Sequence, residues 1–275
     1  MKYLKKYENF GNITFSIEEN EYNDIFNKCC EGVDLQNDTP IMRSLNGDLR
    51  EDFYLIDPRK YERFSANTTN YYTLMMDNTD AWVDFPYRKH GIISSLNESY
   101  FGNEYRVVPL LNYDEVLTKY DIDKFTGSKW GVCPTWDLWS SFHDLLRNSG
   151  FERIDTAEDV NTLLNIMYRN KTDKNLDGIN FDYFKIGLET ITSNMIEVPE
   201  NYEYMKSDIL FLKSFMEKNN MNLYQFAEYI YNPDRNGFRV ETYDQIKTHT
   251  KNTKDVFCNE VWTDTPVLYI STRLI

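Results

Sequence analysis

Apolar residues recur at intervals of three and four positions throughout residues 135–231, which is the spacing of helix faces. The stripes are, in chain order, Leu138, Phe142 and Leu145; Val160, Leu163, Leu164 and Met167; Phe184, Leu188, Ile191 and Met195; Ile209, Leu212, Phe215 and Met216; and Leu223, Phe226, Ala227 and Ile230. Polar residues that favour helix N-termini precede several stripes, namely Thr135, Thr156 with Asp159, Ser207, and Asn222 with Gln225. Gly150 ends the first stripe. The pattern predicts a helical subdomain.

Short β-prone runs flank this helical stretch. Residues 91–95 and 104–108 precede it, and residues 256–262 and 266–270 follow it. Because only residues 263–265 separate the last two runs, we expect them to form a hairpin.

Together these elements predict an α+β protein with a split, mainly antiparallel β core. Residues 1–130 are expected to form the first part of that core and residues 131–250 a helical subdomain or insertion. Residues 251–275 would complete the core as a C-terminal β-hairpin. A chain of 275 residues with 41% hydrophobic content is long enough for one large core or two modest ones.

Charge and cysteine content narrow the classes of partner and compartment. The net charge of -14 repels phosphate backbones and anionic lipid, so neither nucleic acid nor a membrane is expected as a partner. No apolar stretch has the length of a signal peptide or a membrane helix. The cysteines, with Cys29 and Cys30 adjacent, form neither a disulfide framework nor a zinc motif, which predicts a reduced, cytoplasmic setting.

Arg43 interrupts an apolar run at residues 40–45. A buried arginine needs an anionic partner because burying the charge alone is expensive, and its planar fork suits a phosphate. A structural carboxylate such as Asp48 or Glu51 is the alternative partner.

Two serines, Ser94 and Ser95, end a predicted strand, and Tyr100 and Phe101 follow. Hydroxyl groups at a strand end can hold a carboxylate or a ribose hydroxyl, and aromatic rings can stack on a planar group such as nicotinamide. Ordinary turn serines are the alternative.

Glu260 lies among apolar and aromatic residues in a late predicted strand. If its carboxylate faces a site, it can stabilise the cationic sugar that forms when a glycosidic bond breaks. Otherwise it is an exposed position of an alternating strand.

The order of these segments resembles the Arg–Ser–Glu class of ADP-ribosyltransferases. In that family an early strand carries an arginine, a middle strand ends in a serine motif followed by an aromatic–glycine pair, and a late strand carries the catalytic glutamate. The matching positions are Arg43, Ser94 with Ser95, Tyr100 with Phe101 and Gly102, and Glu260. The resemblance covers residues 1–110 and 256–275 and leaves the helical stretch outside it. Ser44 stands where glycine is common, and Cys258 stands where many members have Glu or Gln.

The resemblance implies that NAD is the substrate and that ADP-ribose passes to a host protein acceptor or to water. Arg43, next to Ser44, would bind the pyrophosphate or orient the adjacent ribose, with Arg88 and Arg106 as further phosphate contacts. Ser94 or Ser95 would position Glu260, and Tyr100 or Phe101 would stack near nicotinamide. Glu260 would accept a hydrogen bond from the ribose 2′-hydroxyl and stabilise the oxocarbenium-like transition state.

Two other interpretations stand beside this one. The acidic charge and the aromatic content are also typical of a non-enzymatic accessory protein, of phage or virus, that binds and blocks a host protein. Residues 173–178 match the first half of a calcium loop, but Phe184 stands where the loop requires its glutamate. We therefore expect an Asx-rich turn there and no metal site.

Overall fold

The computed structural model describes residues 14–43, 51–60, 71–96, 105–135, 137–154, 157–168, 180–249 and 260–275. The strands are β1 (Thr14–Ser16), β2 (Met42–Arg43), β3 (Phe53–Ile56), β4 (Ile92–Ser95), β5 (Tyr105–Pro109), β6 (Lys129–Val132), β7 (Arg239–Thr242), β8 (Glu260–Thr263) and β9 (Val267–Ser271). The α-helices are α1 (Glu19–Cys29), α2 (Tyr71–Asn78), α3 (Leu138–Asn148), α4 (Ala157–Met167), α5 (Phe181–Glu189), α6 (Lys206–Lys218), α7 (Leu223–Ile230) and α8 (Tyr243–Ile246). Short 3-10 helices span Pro58–Lys60, Asp80–Trp82, Glu115–Tyr120, Ser193–Met195, Glu200–Met205 and Thr272–Leu274.

The chain divides into two compact units. The first consists of Met1–Phe64, Asp84–Trp136 and Arg239–Ile275, and the second of Ser65–Val83 and Asp137–Phe238. All the described strands belong to the first unit, where they form one nine-stranded sheet whose paired neighbours are all antiparallel. The predicted mixed α/β class with an antiparallel sheet is thereby confirmed.

The strand order in the sheet is β1-β3-β9-β5-β2-β4-β8-β6-β7. The predicted hairpin at the C-terminal end of the sequence is wrong, because β8 pairs with β4 and β6 whereas β9 pairs with β3 and β5. Closeness in sequence suggested the hairpin, but both strands have better-matched partners far along the chain.

The sheet bends sharply between β9 and β8. Three strands lie between them, so a flat sheet would hold them about 19 Å apart at roughly 4.8 Å per strand. Thr263 and Val267 are joined by only three residues, which reach at most about 14 Å when fully extended. The two halves of the sheet meet at β2 and β4, which share the single residue pair Met42 and Ser95.

Apolar side chains from both halves of the sheet fill one core. This core contains Ile41, Tyr54, Ile56, Ile92, Leu96, Tyr105, Val107, Trp130, Val132, Tyr243, Ile246, Val261, Val267 and Tyr269. A second core lies on the other face of β3, β5 and β9, where Leu55, Val108 and Leu268 are cross-strand neighbours. Helix α1 covers that face with Ile25 and Cys29. Burial on both faces explains why these strands are mostly apolar.

The helices of the second unit follow the predicted stripes, but several of their ends differ. Asp137, not Thr135, caps α3, because the Asp137 carboxylate accepts a hydrogen bond from the Ser140 amide at 2.7 Å. Gly150 follows α3 with a φ of 100°, a conformation that glycine adopts without strain. Ser207 lies inside α6 and does not cap it.

Helix α7 starts where Asn222 and Gln225 predicted it, and these two residues form a capping box there. The Asn222 side chain accepts from the Gln225 amide, and the Gln225 side chain accepts from the Asn222 amide, each at 2.9 Å. Helix α5 ends at Glu189, so Met195 of the predicted stripe lies beyond the helix and is exposed. The proposed cap at Thr156 and the calcium-like segment 173–178 lie outside the described residues.

A search of the described residues finds no helix with the length and apolarity that crossing a membrane requires.

Candidate functional site

Strands β2, β4 and β8 are consecutive neighbours in the sheet, and they carry Arg43, the two serines and Glu260. Ser95 lies directly opposite Glu260 in the β4–β8 ladder and directly opposite Met42 in the β2–β4 pair. The sequence segments that were singled out for their chemistry are therefore adjacent in the first unit.

Strands β2 and β4 are antiparallel neighbours that pair at Met42 and Ser95. Continued by one step, an antiparallel ladder would pair Arg43 with Ser94, but the described part of β2 pairs with β4 at Met42 alone. Because side chains alternate along a strand, Ser95 and Glu260 share one face of the sheet, while Arg43 and Ser94 point to the other.

Arg43 and Ser94 lie on the side of the core that contains Tyr269. Burial raises the pKa of the Tyr269 phenol to about 12, and the positive charge of Arg43 opposes this rise. The Ser94 hydroxyl is fully buried and has no hydrogen-bond partner among the described residues. The structure thus separates Arg43 from Glu260 by the thickness of the sheet, although their strands are close.

Arg88 is the cation that contacts Glu260. Its Nη2 donates to Glu260 Oε1 at 2.5 Å, and the side chains are only 3% and 11% exposed. No other hydrogen bond of the Glu260 carboxylate appears within the described ranges. The site therefore contains a nearly buried ion pair, with the Ser95 hydroxyl on the same face of the sheet.

Trp262, together with residues 85 and 86 of the loop before β4, holds Arg88 in place. The Arg88 guanidinium lies 5.0 Å from the centroid of the Trp262 ring, and the Phe85 ring stacks on Trp262 at 6.1 Å. The indole Nε1 donates to the Pro86 carbonyl at 3.0 Å. Gly131 lies opposite Trp262 on β6, and a Cβ atom there would overlap the indole ring. The absence of a side chain at Gly131 gives the indole its position.

Asp264 extends the same line of alternating residues one step beyond Trp262. Its Oδ2 accepts a hydrogen bond from the Tyr87 amide at 3.1 Å. Burial raises the pKa of the Asp264 carboxyl, and the hydrogen bond from Tyr87 only partly offsets that effect. Residues 85–88 together thus contact Glu260, Trp262 and Asp264.

The other predicted binding residues are Ser44, Tyr100, Phe101 and Arg106. Ser44, Tyr100 and Phe101 lie outside the described residues. Arg106 donates to the carbonyl oxygens of Leu35 and Asp38, so it holds a loop in the first unit. In the ranges that the structure covers, no three His, Cys, Asp or Glu side chains are placed to hold a metal ion.

Sequence reasoning missed Trp262 and Asp264 as neighbours of the site. The signal was present, since Glu260, Trp262 and Asp264 alternate along the chain and so share a strand face. Comparisons with protein-family models, with curated proteins and with solved structures find no match.

Proposed function

We propose that this protein cleaves NAD at the bond between nicotinamide and ribose and transfers ADP-ribose to a host protein or to water. The observation that carries the proposal is the position of Ser95 opposite Glu260, with Arg43 on the neighbouring strand β2. That arrangement supplies one hydroxyl and one carboxylate on the same face of the sheet.

Glu260 is the carboxylate proposed to stabilise the sugar cation as nicotinamide leaves. Its Oε1 accepts a hydrogen bond from Arg88, and Oε2 is the oxygen proposed to accept one from the ribose 2′-hydroxyl. Ser95 lies opposite Glu260 on the same face of the sheet, and for this reason it is the serine proposed to position the carboxylate.

Two arginines are proposed to serve the NAD phosphates. Arg88 already lies at the carboxylate, and Arg43 is the last described residue of β2, the strand next to β4. Arg43 points to the opposite face of the sheet from Glu260, so Arg88 is the arginine nearer the carboxylate. Ser44, Tyr100 and Phe101 keep the roles in phosphate binding and ring stacking that the resemblance implies.

The bent sheet, joined at β2 and β4 by one residue pair, is proposed to be the split core of an ADP-ribosyltransferase. The helical residues between β6 and β7 would then be an insertion into that core.

Nicotinamide release from NAD is the direct test. The wild-type protein is incubated with NAD labelled in the nicotinamide ring, alone and with a host lysate, and the released ring is quantified. The matched control is the double variant Glu260→Gln/Arg88→Gln, which removes both charges together and so leaves neither unpaired. We expect release from the wild type and none from the double variant. A folded wild-type protein that releases no nicotinamide under either condition would refute the proposal.

A second candidate function is non-enzymatic binding of a host protein. The observation that favours it is the Arg88–Glu260 ion pair itself, which is nearly buried and is compatible with a purely structural role. Helix α5 also exposes Tyr183 and Ile186 one turn apart. This candidate predicts a stoichiometric partner captured without NAD, unaffected by the double variant, and lost in Tyr183→Ser/Ile186→Ser.

A further inference from the structure

The ion pair between Arg88 and Glu260 conflicts with the chemistry proposed for Glu260. A carboxylate stabilises a developing sugar cation through its negative charge. A guanidinium donating to Glu260 Oε1 at 2.5 Å, in a site nearly shielded from water, neutralises most of that charge. The arrangement in this structure is therefore a resting arrangement of the site, from which catalysis requires a change.

An anion is the chemical group that can replace Glu260 as the partner of Arg88. Separating the pair removes the hydrogen bond from Arg88 to Glu260, and a competing anion can accept that hydrogen bond instead. Phosphate oxygens match the planar fork of arginine as well as a carboxylate does. Stacking on Trp262 holds the guanidinium at one place while its partner changes.

We propose that Arg88 is an anion-operated gate on Glu260, which a phosphate or pyrophosphate group of the ligand opens by taking the guanidinium away from the carboxylate. This inference rests on the proposed function, since it concerns the same carboxylate. In this proposal Arg88 is a positioning residue. Binding of the NAD phosphates releases the Glu260 carboxylate to act on the bond between nicotinamide and ribose.

The gate predicts that a substrate without phosphate is cleaved poorly unless the anion is supplied separately. Nicotinamide riboside is the phosphate-free substrate, and inorganic pyrophosphate is the separate anion. We expect pyrophosphate to accelerate nicotinamide release from nicotinamide riboside by the wild type on the order of tenfold or more, the size of effect that one charge-stabilising interaction produces. Arg88→Gln should abolish the acceleration, and Arg88→Lys should restore part of it.

Arg273→Gln is the matched control, because Arg273 is an exposed arginine of the same unit whose side chain is 71% accessible. It should keep the full acceleration by pyrophosphate. A purely structural role for Arg88 would instead lower cleavage of both substrates equally and leave the acceleration in place.

Direct binding provides a readout that does not depend on cleavage. Calorimetry should detect pyrophosphate binding to the wild type and to Arg273→Gln but not to Arg88→Gln. The double variant Glu260→Gln/Arg88→Gln removes both charges and replaces the single variant if Arg88→Gln alone misfolds. We expect that the double variant also does not bind pyrophosphate. Quenching of tryptophan fluorescence by pyrophosphate should disappear in Trp262→Phe.

The two proposals fail in different ways. Cleavage of NAD without any Arg88-dependent effect of pyrophosphate would overturn the gate and leave the proposed function intact. Arg88-dependent binding of pyrophosphate with no cleavage of NAD would overturn the proposed function, and with it the gate, while an anion site at Arg88 would stand.

Discussion

Ser95 and Glu260 lie directly opposite each other on the adjacent antiparallel strands β4 and β8. Residues in such positions have Cβ atoms about 4.5–5.5 Å apart and side chains on the same face. The next pair along the ladder, Ser94 and Val261, faces the core on the other side. Two serines that look equivalent in the sequence are therefore placed in different surroundings.

The two serines should respond differently to substitution by alanine. Ser95→Ala should lower kcat for nicotinamide release roughly tenfold, because the carboxylate loses a positioning group. Ser94→Ala should leave kcat unchanged and be neutral or slightly stabilising, since the buried Ser94 hydroxyl makes no hydrogen bond with the described residues. Steady-state kinetics and thermal unfolding check both expectations. Equal losses of kcat in the two variants would contradict the assignment.

The Arg88–Glu260 pair should show strong coupling in a double-mutant cycle. Each single variant, Arg88→Gln or Glu260→Gln, breaks the buried ion pair and should cost about 3–5 kcal/mol in the free energy of unfolding. The double variant should cost far less than the sum of the singles. Urea unfolding of all four proteins measures the coupling.

The exposed Arg273–Asp52 pair serves as the control for this cycle, since its atoms are 3.6 Å apart and both side chains are accessible. Surface pairs contribute about 0–1 kcal/mol, so its coupling should be small. If the losses in unfolding free energy of the two single variants simply add in the double variant, Arg88 and Glu260 do not stabilise the protein through their mutual contact.

Local patterns along the chain predicted the helices well and their ends less well. The three- and four-residue spacing of apolar positions correctly places residues such as Phe142 in α3 and Ile209 in α6 on buried helix faces. The capping box at Asn222 depends only on residues close to it in the sequence. Asp137 and Thr135 both carry a side-chain oxygen that can cap a helix N-terminus. The sequence alone does not determine which of the two residues directly precedes the first helical residue.

Long-range pairing explains what the sequence did not reveal about the sheet and the site. The match of β9 with β3 and β5 depends on contacts between residues more than 150 positions apart, which local patterns do not encode. The segments with Arg43, Ser95 and Glu260 were identified by residue type, and their strands are neighbours. Register determined that Arg88, not Arg43, contacts Glu260.

Gly131→Ala should destabilise the first unit. A Cβ atom at Gly131 would overlap the Trp262 ring, which cannot move aside easily because its Nε1 is bonded to Pro86 and its face is covered by Phe85. Overpacking of this kind costs about 1–3 kcal/mol. Urea unfolding measures the loss. In a Trp262→Leu background the same substitution should cost much less, and an undiminished cost there would rule out the steric explanation.

Asp264→Asn should stabilise the protein at neutral pH. Because burial raises the pKa of Asp264 in the folded state, ionisation favours the unfolded chain as the pH rises above the ordinary value of 3.8. The asparagine avoids this penalty and keeps an acceptor for the Tyr87 amide. The melting temperature of the variant should exceed that of the wild type near pH 7, and the difference should shrink as the pH falls towards the ordinary value.

Asp121→Asn is the control of opposite sign. A hydrogen bond from Lys60 lowers the pKa of Asp121, so its charge favours the folded state at neutral pH. That variant should be slightly less stable than the wild type near pH 7. A difference of the same sign at both positions would indicate that net charge, rather than the surroundings of Asp264, determines the result.

The place of β9 between β3 and β5 has a consequence for synthesis on the ribosome. Helices α3 to α7 emerge before β8 and β9, so the second unit can close while the first still lacks a central strand. Until translation reaches residue 271, β3 and β5 each present an unpaired edge, the kind of surface on which nascent chains aggregate. Newly made chains should therefore depend on chaperones for as long as the helical residues are being translated.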